Sequence, residues 1–373
     1  MQMQKKILVL AVAAAISAPA LADTANVTVY GKVDVSVDSI NTGTSTAGAS
    51  GARSNRVESN VSIIGFKGAE DLGDGLAAVW QVESKINVGD AAANGSGTSG
   101  STFGTRNTFA GLKSDSLGTV LAGRHDTPYK LATRRLDQFA DGIADNRSIM
   151  GGGVTATTDA AQFDGRQDQV IAYISPNLGG VTAAVANVFL TPSTSLDSTA
   201  QENAQSIAAW YDANGIFGSL AYEKHNLGAV APDGGEHAEK VGFGYTQEGV
   251  FTVGAVYEKT SDNLGAAGAD KYGHNAIYVS GKFNVGANDA IKAAVTRSGD
   301  VGGVANTGAK QYSIGYDHSL SKRTTVYALY TKLSNQSAGQ YYLTTEPTLG
   351  GSSTIAGTGA SPSAVAVGLK VVF

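Results

Sequence analysis

The chain has 373 residues, with 27 Lys and Arg against 32 Asp and Glu. That balance excludes a polybasic nucleic-acid binder, and the absence of cysteine excludes disulfide scaffolds, Cys-ligated zinc and thiol catalysis. Forty-eight glycines with only 7 prolines, at 42% hydrophobic content, suit a large β protein with many tight turns, not a disordered or helical chain.

Residues 1–22 read as a removable secretory leader. Lys5 and Lys6 make a positive start, Ile7–Ile16 is apolar, and Ala20-Leu21-Ala22 has the small residues a signal peptidase reads. The apolar run is shorter than the ~20 residues a spanning helix needs. Taking Lys5 and Lys6 from the 27 basic residues, against 32 acidic ones, gives residues 23–373 a charge of −7.

The rest is a succession of period-two segments. From Val27 to Val37 every odd position but Gly31 is Val, and the even positions are mostly polar. A β-strand points successive side chains to opposite faces, so this segment has one apolar and one polar face. The pattern recurs at Val241, Phe243 and Tyr245, at Phe251, Val253, Ala255 and Tyr257, and at Ile277, Val279 and Phe283. It returns at Tyr312, Ile314 and Tyr316 and, last, from Val365 to Phe373. Short turns rich in Gly, Asn and Asp, such as Glu70–Asp74 and Asp212–Gly215, alternate with longer Gly/Ser/Thr-rich connections. The long ones lie near 39–55, 88–102, 126–165, 190–202, 226–237, 262–271, 299–309 and 334–362. Seven short turns and eight long loops predict sixteen strands, each of ~9–13 residues, enough to cross a bilayer when tilted. A soluble sandwich would bury its apolar faces in a shared core and need no such asymmetry. An even strand number with both termini on the short-turn side predicts an all-β fold, a 16-stranded antiparallel transmembrane β-barrel. Phe251 and Tyr257, six residues apart on one face, could sit in its two aromatic girdles, ~20 Å apart.

The chain resembles the trimeric general porins of β-proteobacteria, the neisserial and Burkholderia-type Gram-negative porins. The carriers are Val27–Asp34 (VTVYGKVD), Gly65–Gly75 (GFKGAEDLGDG) with Trp80-Gln81-Val82-Glu83, and Arg106–Lys113 (RNTFAGLK). Gly118–Arg124 (GTVLAGR), Tyr173–Pro176 (YISP), Tyr316–Arg323 (YDHSLSKR) and Gly368–Phe373 (GLKVVF) extend the likeness to the end of the chain. The resemblance implies an outer-membrane homotrimer in outer-membrane lipid. Each barrel would have short periplasmic turns, long extracellular loops and a third loop folded into the lumen. It would pass ions and small hydrophilic solutes passively, with no cofactor and no nucleic-acid partner. The terminal Phe373 resembles the family's assembly signal. Three positions depart. Ile63 and Ala77 stand where the family often has Arg and Lys, and Lys370-Val371 replaces the usual Arg-His. The first two losses could thin a basic cluster in the pore.

A sixteen-stranded barrel encloses water unless something fills it, and the third long loop, 126–165, is the candidate. Leu136, Phe139, Ala140 and Ile143 recur at helical spacing, and Asp137, Asp141 and Asp145 fall nearly opposite. This predicts a short amphipathic helix, apolar face on the wall and three carboxylates in the water, matching the constriction loop of the resembled porins. The facing wall should be basic: Lys32 on the polar face of the first strand, with Arg106 and Arg124 flanking the hairpin before the loop. Lys67 can be read either way. Arg134, Arg135 and Arg147 lie in the loop and could pair with its acids. Opposed charges across a wet passage favour small polar solutes and set selectivity.

Other signals are weaker. Gly95–Gly100 fits G-x-G-x-x-G but sits in a Ser/Gly loop, without the strand–helix context that nucleotide binding needs. The five histidines show no metal-ligand spacing, and serine has no G-x-S-x-G context. No catalytic or metal residue is therefore assigned, and a barrel enzyme is disfavoured. A surface adhesin or antigen, acting through its loops, is the alternative to a pore.

Overall fold

The computed structural model describes residues 27–88, 103–151, 163–189, 203–226, 235–263, 265–343 and 357–373. The leader, the 95–100 glycine motif and the 190–202 loop lie outside these. The first eight β-strands are β1 (Thr28–Asn41), β2 (Arg53–Ser59), β3 (Ile63–Gly73), β4 (Leu76–Lys85), β5 (Thr108–Ser114), β6 (Gly118–Asp126), β7 (Arg166–Ile174) and β8 (Val181–Phe189). Then come β9 (Asn203–Ala213), β10 (Ile216–Asn226), β11 (Gly235–Gln247), β12 (Phe251–Asp262), β13 (Asn275–Asn284) and β14 (Asp289–Ser298). The last three are β15 (Ala309–Ser319), β16 (Thr324–Asn335) and β17 (Ser363–Val372).

From β3 onward each strand pairs antiparallel with the next, and β17 pairs with β1 from Lys32↔Val372 to Asn41↔Ser363, closing the sheet. The other edge of β1 pairs with both β2 and β3, so these are two pieces of one barrel strand. The barrel therefore has sixteen strands. The break falls at Asn60–Ser62, where Val61 adopts φ +50, a strained value for a β-branched residue. The Ser62 hydroxyl accepts from the Asp34 N–H (2.9 Å) and donates to the Asp34 carbonyl (3.0 Å), replacing the missing ladder bonds.

Tight turns and both strand termini crowd one end. Asp74-Gly75 and Asn214-Gly215 have positive φ at both residues, the backbone that two-residue hairpins require. Outward positions carry the apolar sets read from the sequence: Val241 and Phe243, Ile277 and Val279, and Val365, Val367 and Leu369 are all exposed. Such a belt around a whole sheet is stable against hydrocarbon, not water. This excludes the soluble sandwich. Tyr211, Tyr245, Phe251, Phe283 and Tyr316 all lie near the turn-side ends of their strands, and Phe251 stacks on Phe283 at 5.9 Å. They form one girdle, and the exposed Tyr257 stands toward the other.

Gly31, the exception among the valines of β1, has a cause. A Cβ there would lie 2.6 Å from the Phe373 ring and 2.5 Å from the Ile63 carbonyl. Phe373 and Gly31 exchange both backbone hydrogen bonds (2.9 and 3.0 Å), so the last residue completes the closing seam.

Candidate functional site: the loop-narrowed lumen

The third long loop turns into the barrel. Helix α1 (Pro128–Thr133), capped by the Thr127 side chain, packs on β8–β11. Beyond it Leu136, Phe139, Ile143, Ile149 and Met150 are buried in one cluster with wall residues Phe217, Val256, Tyr278, Leu329 and Leu333. The wall is built to receive them. A Cβ on Gly244 would lie 2.7 Å from Leu136, one on Gly242 2.9 Å from it, and one on Gly315 3.1 Å from Phe139. Glycine at these inward positions makes the groove in which the loop lies.

A buried ionic pin holds both arms of the loop. Lys240 and Glu258 face each other across β11 and β12, with the ammonium 3.2 Å from Glu258 and 2.5 Å from Asp164. It also lies 4.1 Å from the centre of the Tyr129 ring. The Tyr129 hydroxyl donates to Glu258 (2.8 Å) and so does the Gly151 N–H (2.7 Å). Truncating one partner of such a set would leave an uncompensated buried charge, at ~3–5 kcal/mol.

The predicted amphipathic helix is not formed. Asp141 sits at φ +70, which no right-handed helix accommodates, and residues 134–148 make short 3-10 turns instead. The apolar set still finds the wall, except Ala140, which is exposed. Nor do all three carboxylates face water. The Asp145 side chain is 0% exposed. It binds Arg134 (2.6 and 3.1 Å) and Arg147 (3.1 and 3.2 Å), and accepts the N–H groups of Arg147 and Asp141. Asp137 is also buried and accepts from the Tyr278 hydroxyl (2.7 Å) and from the N–H groups of Phe139 and Asn146. Short polar side chains here hold an irregular backbone together, a role helical spacing does not reveal. Only Asp141 reaches the opposite wall, pairing with Lys32 at 2.7 Å and with Arg134 at 2.7 Å.

Charge follows this geometry. Burial, then the Asp145 charge, push the Asp137 carboxyl up to about 6. Burial also opposes ionisation of Asp141 and Asp145, but the Arg134 guanidinium, with Lys32 beside Asp141 and Arg147 beside Asp145, outweighs it and holds both well below the usual carboxylate range. Burial opposes the charge on Arg134 too, and the carboxylates of Asp145 and Asp141 overcome it.

The remaining site residues divide. Arg106 binds Glu83 on the wall (2.7 Å), which also accepts from the Tyr30 hydroxyl (3.0 Å). Arg124 does not join the loop. The alternation of β6 gives it the parity of the exposed Val120 and Ala122, and it pairs with Asp168 (2.6 Å) and the Thr105 carbonyl. Its assignment to the constriction is corrected accordingly: sequence distance from the loop says nothing of strand parity. Arg135 points to the turn-side vestibule, paired with Asp212 and stacked on Phe217. Lys67 lies over the Tyr30 ring at 5.2 Å and so faces the lumen. Ile63 and Ala77 share inward parity with Gly65 and Glu83, so basic groups there would have lined the lumen. Lys292, not singled out from the sequence, faces inward, 3.0 Å from Asp317 and 5.1 Å from the centre of the Phe139 ring. Period-two alternation carries its signal, but dozens of positions share it. His225, also set aside, lies between Glu236 (2.6 Å) and Glu223 (3.0 Å). No metal-binding group of three occurs among the described residues.

A closed barrel with an apolar exterior, a charged interior and a loop folded across its lumen is a water-filled transmembrane channel. Residues 9–338 match the Gram-negative porin family, and the chain belongs to it. It is 29% identical over 385 residues to outer membrane porin protein 32 of Delftia acidovorans, covering 100% of both chains. Over 180 residues it is 31% identical to a major outer membrane protein P.IB of Neisseria gonorrhoeae, 47% of this chain and 46% of that one. The fold superimposes on the anion-selective porin from Comamonas acidovorans with a TM-score of 0.72 at 22% identity, covering 94% of this chain and 100% of that one. The protein is an outer-membrane porin, a passive diffusion channel.

Proposed function

We propose that the third loop, 126–165, is the constriction of this channel, and that the Lys32–Asp141 pair marks its narrowest charged point. The observation that carries this is the loop's seat inside the barrel, with Asp141 reaching the far wall at 2.7 Å. Around it stand Lys32, Arg134, Arg147, Lys282, Lys292 and Lys370 against Asp34, Asp137, Asp141, Asp145 and Asp317, with the Asp137 and Asp145 carboxylates closed off from the water. Burial and the Asp145 charge raise the Asp137 carboxyl to about 6, so its negative charge is lost as pH falls through that range. A modest preference for anions follows. In a KCl gradient Lys32→Gln should move the reversal potential toward cation preference and Asp141→Asn toward anion preference. No shift in either variant would remove these residues from the constriction. Residues 1–22 are a cleaved leader, checked by N-terminal sequencing of the outer-membrane protein. The family resemblance supports a homotrimer, which mass measurement after mild detergent extraction tests; a monomer would overturn it.

A further inference from the structure

Beneath the third loop, on the short-turn side, a recess of about 940 Å³ opens between Leu136 and the wall of β9–β13. That is within the range of small-molecule sites, roughly 300–1,000 Å³. Leu136 and Phe217 lie beneath it, almost fully covered, and Thr246 and Thr252 add hydroxyls. Four charged side chains line it: Arg135, Asp212, Glu248 and Lys282. Arg135 and Asp212 satisfy each other, with the guanidinium 4.5 Å from the centre of the Phe217 ring. The other two are not so engaged. Glu248 has no hydrogen-bond or ion-pair partner among the described residues, and the nearest acid to Lys282 is Asp317 at 4.0 Å, itself held closer by Lys292 at 3.0 Å. Lys282 stands opposite Thr252, and Thr252 opposite Thr246. Two strand spacings, about 10 Å, therefore separate the Lys282 and Thr246 backbones, and Glu248 follows two residues on. Both long side chains can reach one small molecule between them.

We propose that this recess binds an amino acid zwitterion. Its carboxylate meets Lys282 and its ammonium meets Glu248. Capture here slows the solute just inside the constriction, so the effect on current rests on the reading of the third loop given above, but binding itself does not.

The test is calorimetric titration of the folded, detergent-solubilised protein with L-phenylalanine, 3-phenylpropionate and phenethylamine, alongside single-channel current with each added on the short-turn side. Phenylalanine should bind saturably and each singly charged analogue about tenfold more weakly, the loss of one charge-assisted contact. Lys282→Gln should erase the preference over phenethylamine, and Glu248→Gln the preference over 3-phenylpropionate. Equal binding of 3-phenylpropionate, or no saturable binding to a channel that conducts, overturns the proposal. Saturable binding without any effect on current would leave the recess standing and count against the constriction.

Discussion

Asp145 is the residue on which the constriction's shape should depend most. Its carboxylate is 0% exposed and answers two guanidinium groups and two backbone N–H groups. Asp145→Asn keeps the volume but removes the charge and turns one acceptor into a donor. Arg134 would retain Asp141 at 2.7 Å and Asp137 at 3.5 Å, and Arg147 only Asp141 at 3.9 Å. Removing one partner from a buried ion pair costs about 3–5 kcal/mol. Since 1.4 kcal/mol is tenfold, the ratio of docked to released loop should fall by roughly 10²–10³ or more. The barrel should survive, because its ladder and the Lys240–Glu258 pin are untouched. In planar bilayers the variant should show larger or flickering single-channel currents, with an unchanged heat-modifiable band on a gel. Asp141→Asn is the control: one charge fewer, the loop still docked, quiet current and altered selectivity. Quiet, wild-type conductance from Asp145→Asn would refute the claim that this cluster holds the loop.

The raised Asp137 carboxyl makes a pH prediction. A group at about 6 in the docked loop, against an unfolded value near ~3.9, binds its proton more tightly when docked. Docking therefore gains stability as pH falls through 6 toward 4, and the loop loses one negative charge. The reversal potential should move toward anions between pH 7.5 and 5, and Asp137→Asn should abolish that movement. Gly244→Leu would drive a side chain into Leu136, 2.7 Å from its Cβ position; overpacking of about 1–3 kcal/mol should displace the loop and change conductance without loss of the barrel. Gly31→Val meets backbone as well as the Phe373 ring, so the yield of assembled, heat-resistant barrel should drop sharply. Normal yield would deny Gly31 its part in the closing seam.

Alternation along each strand determined most of the fold. Side chains on a strand have period two, so Val241, Phe243 and Tyr245 could only share a face. The Asp74-Gly75 and Asn214-Gly215 turns demand positive φ, which marks hairpins locally. Sixteen strands, their order and the apolar outside follow from such short-range rules. The third loop was half legible: Leu136, Phe139 and Ile143 do lie on the wall. Helical spacing, however, could not foresee the left-handed Asp141 or the inward turn of Asp137 and Asp145. Their partners, Arg134, Tyr278 and Lys32, are up to 141 residues away along the chain. Gly242, Gly244 and Gly315 looked like ordinary strand glycines until the loop was found resting on them. Arg124 shows the same limit in reverse, since its neighbours in sequence suggested the lumen and its strand parity sends it outward. Local chemistry determines which residues form strands and turns. Which charges meet across the lumen is decided by register and closure, because only the closed barrel brings β1, the third loop and β11–β15 within a few ångströms.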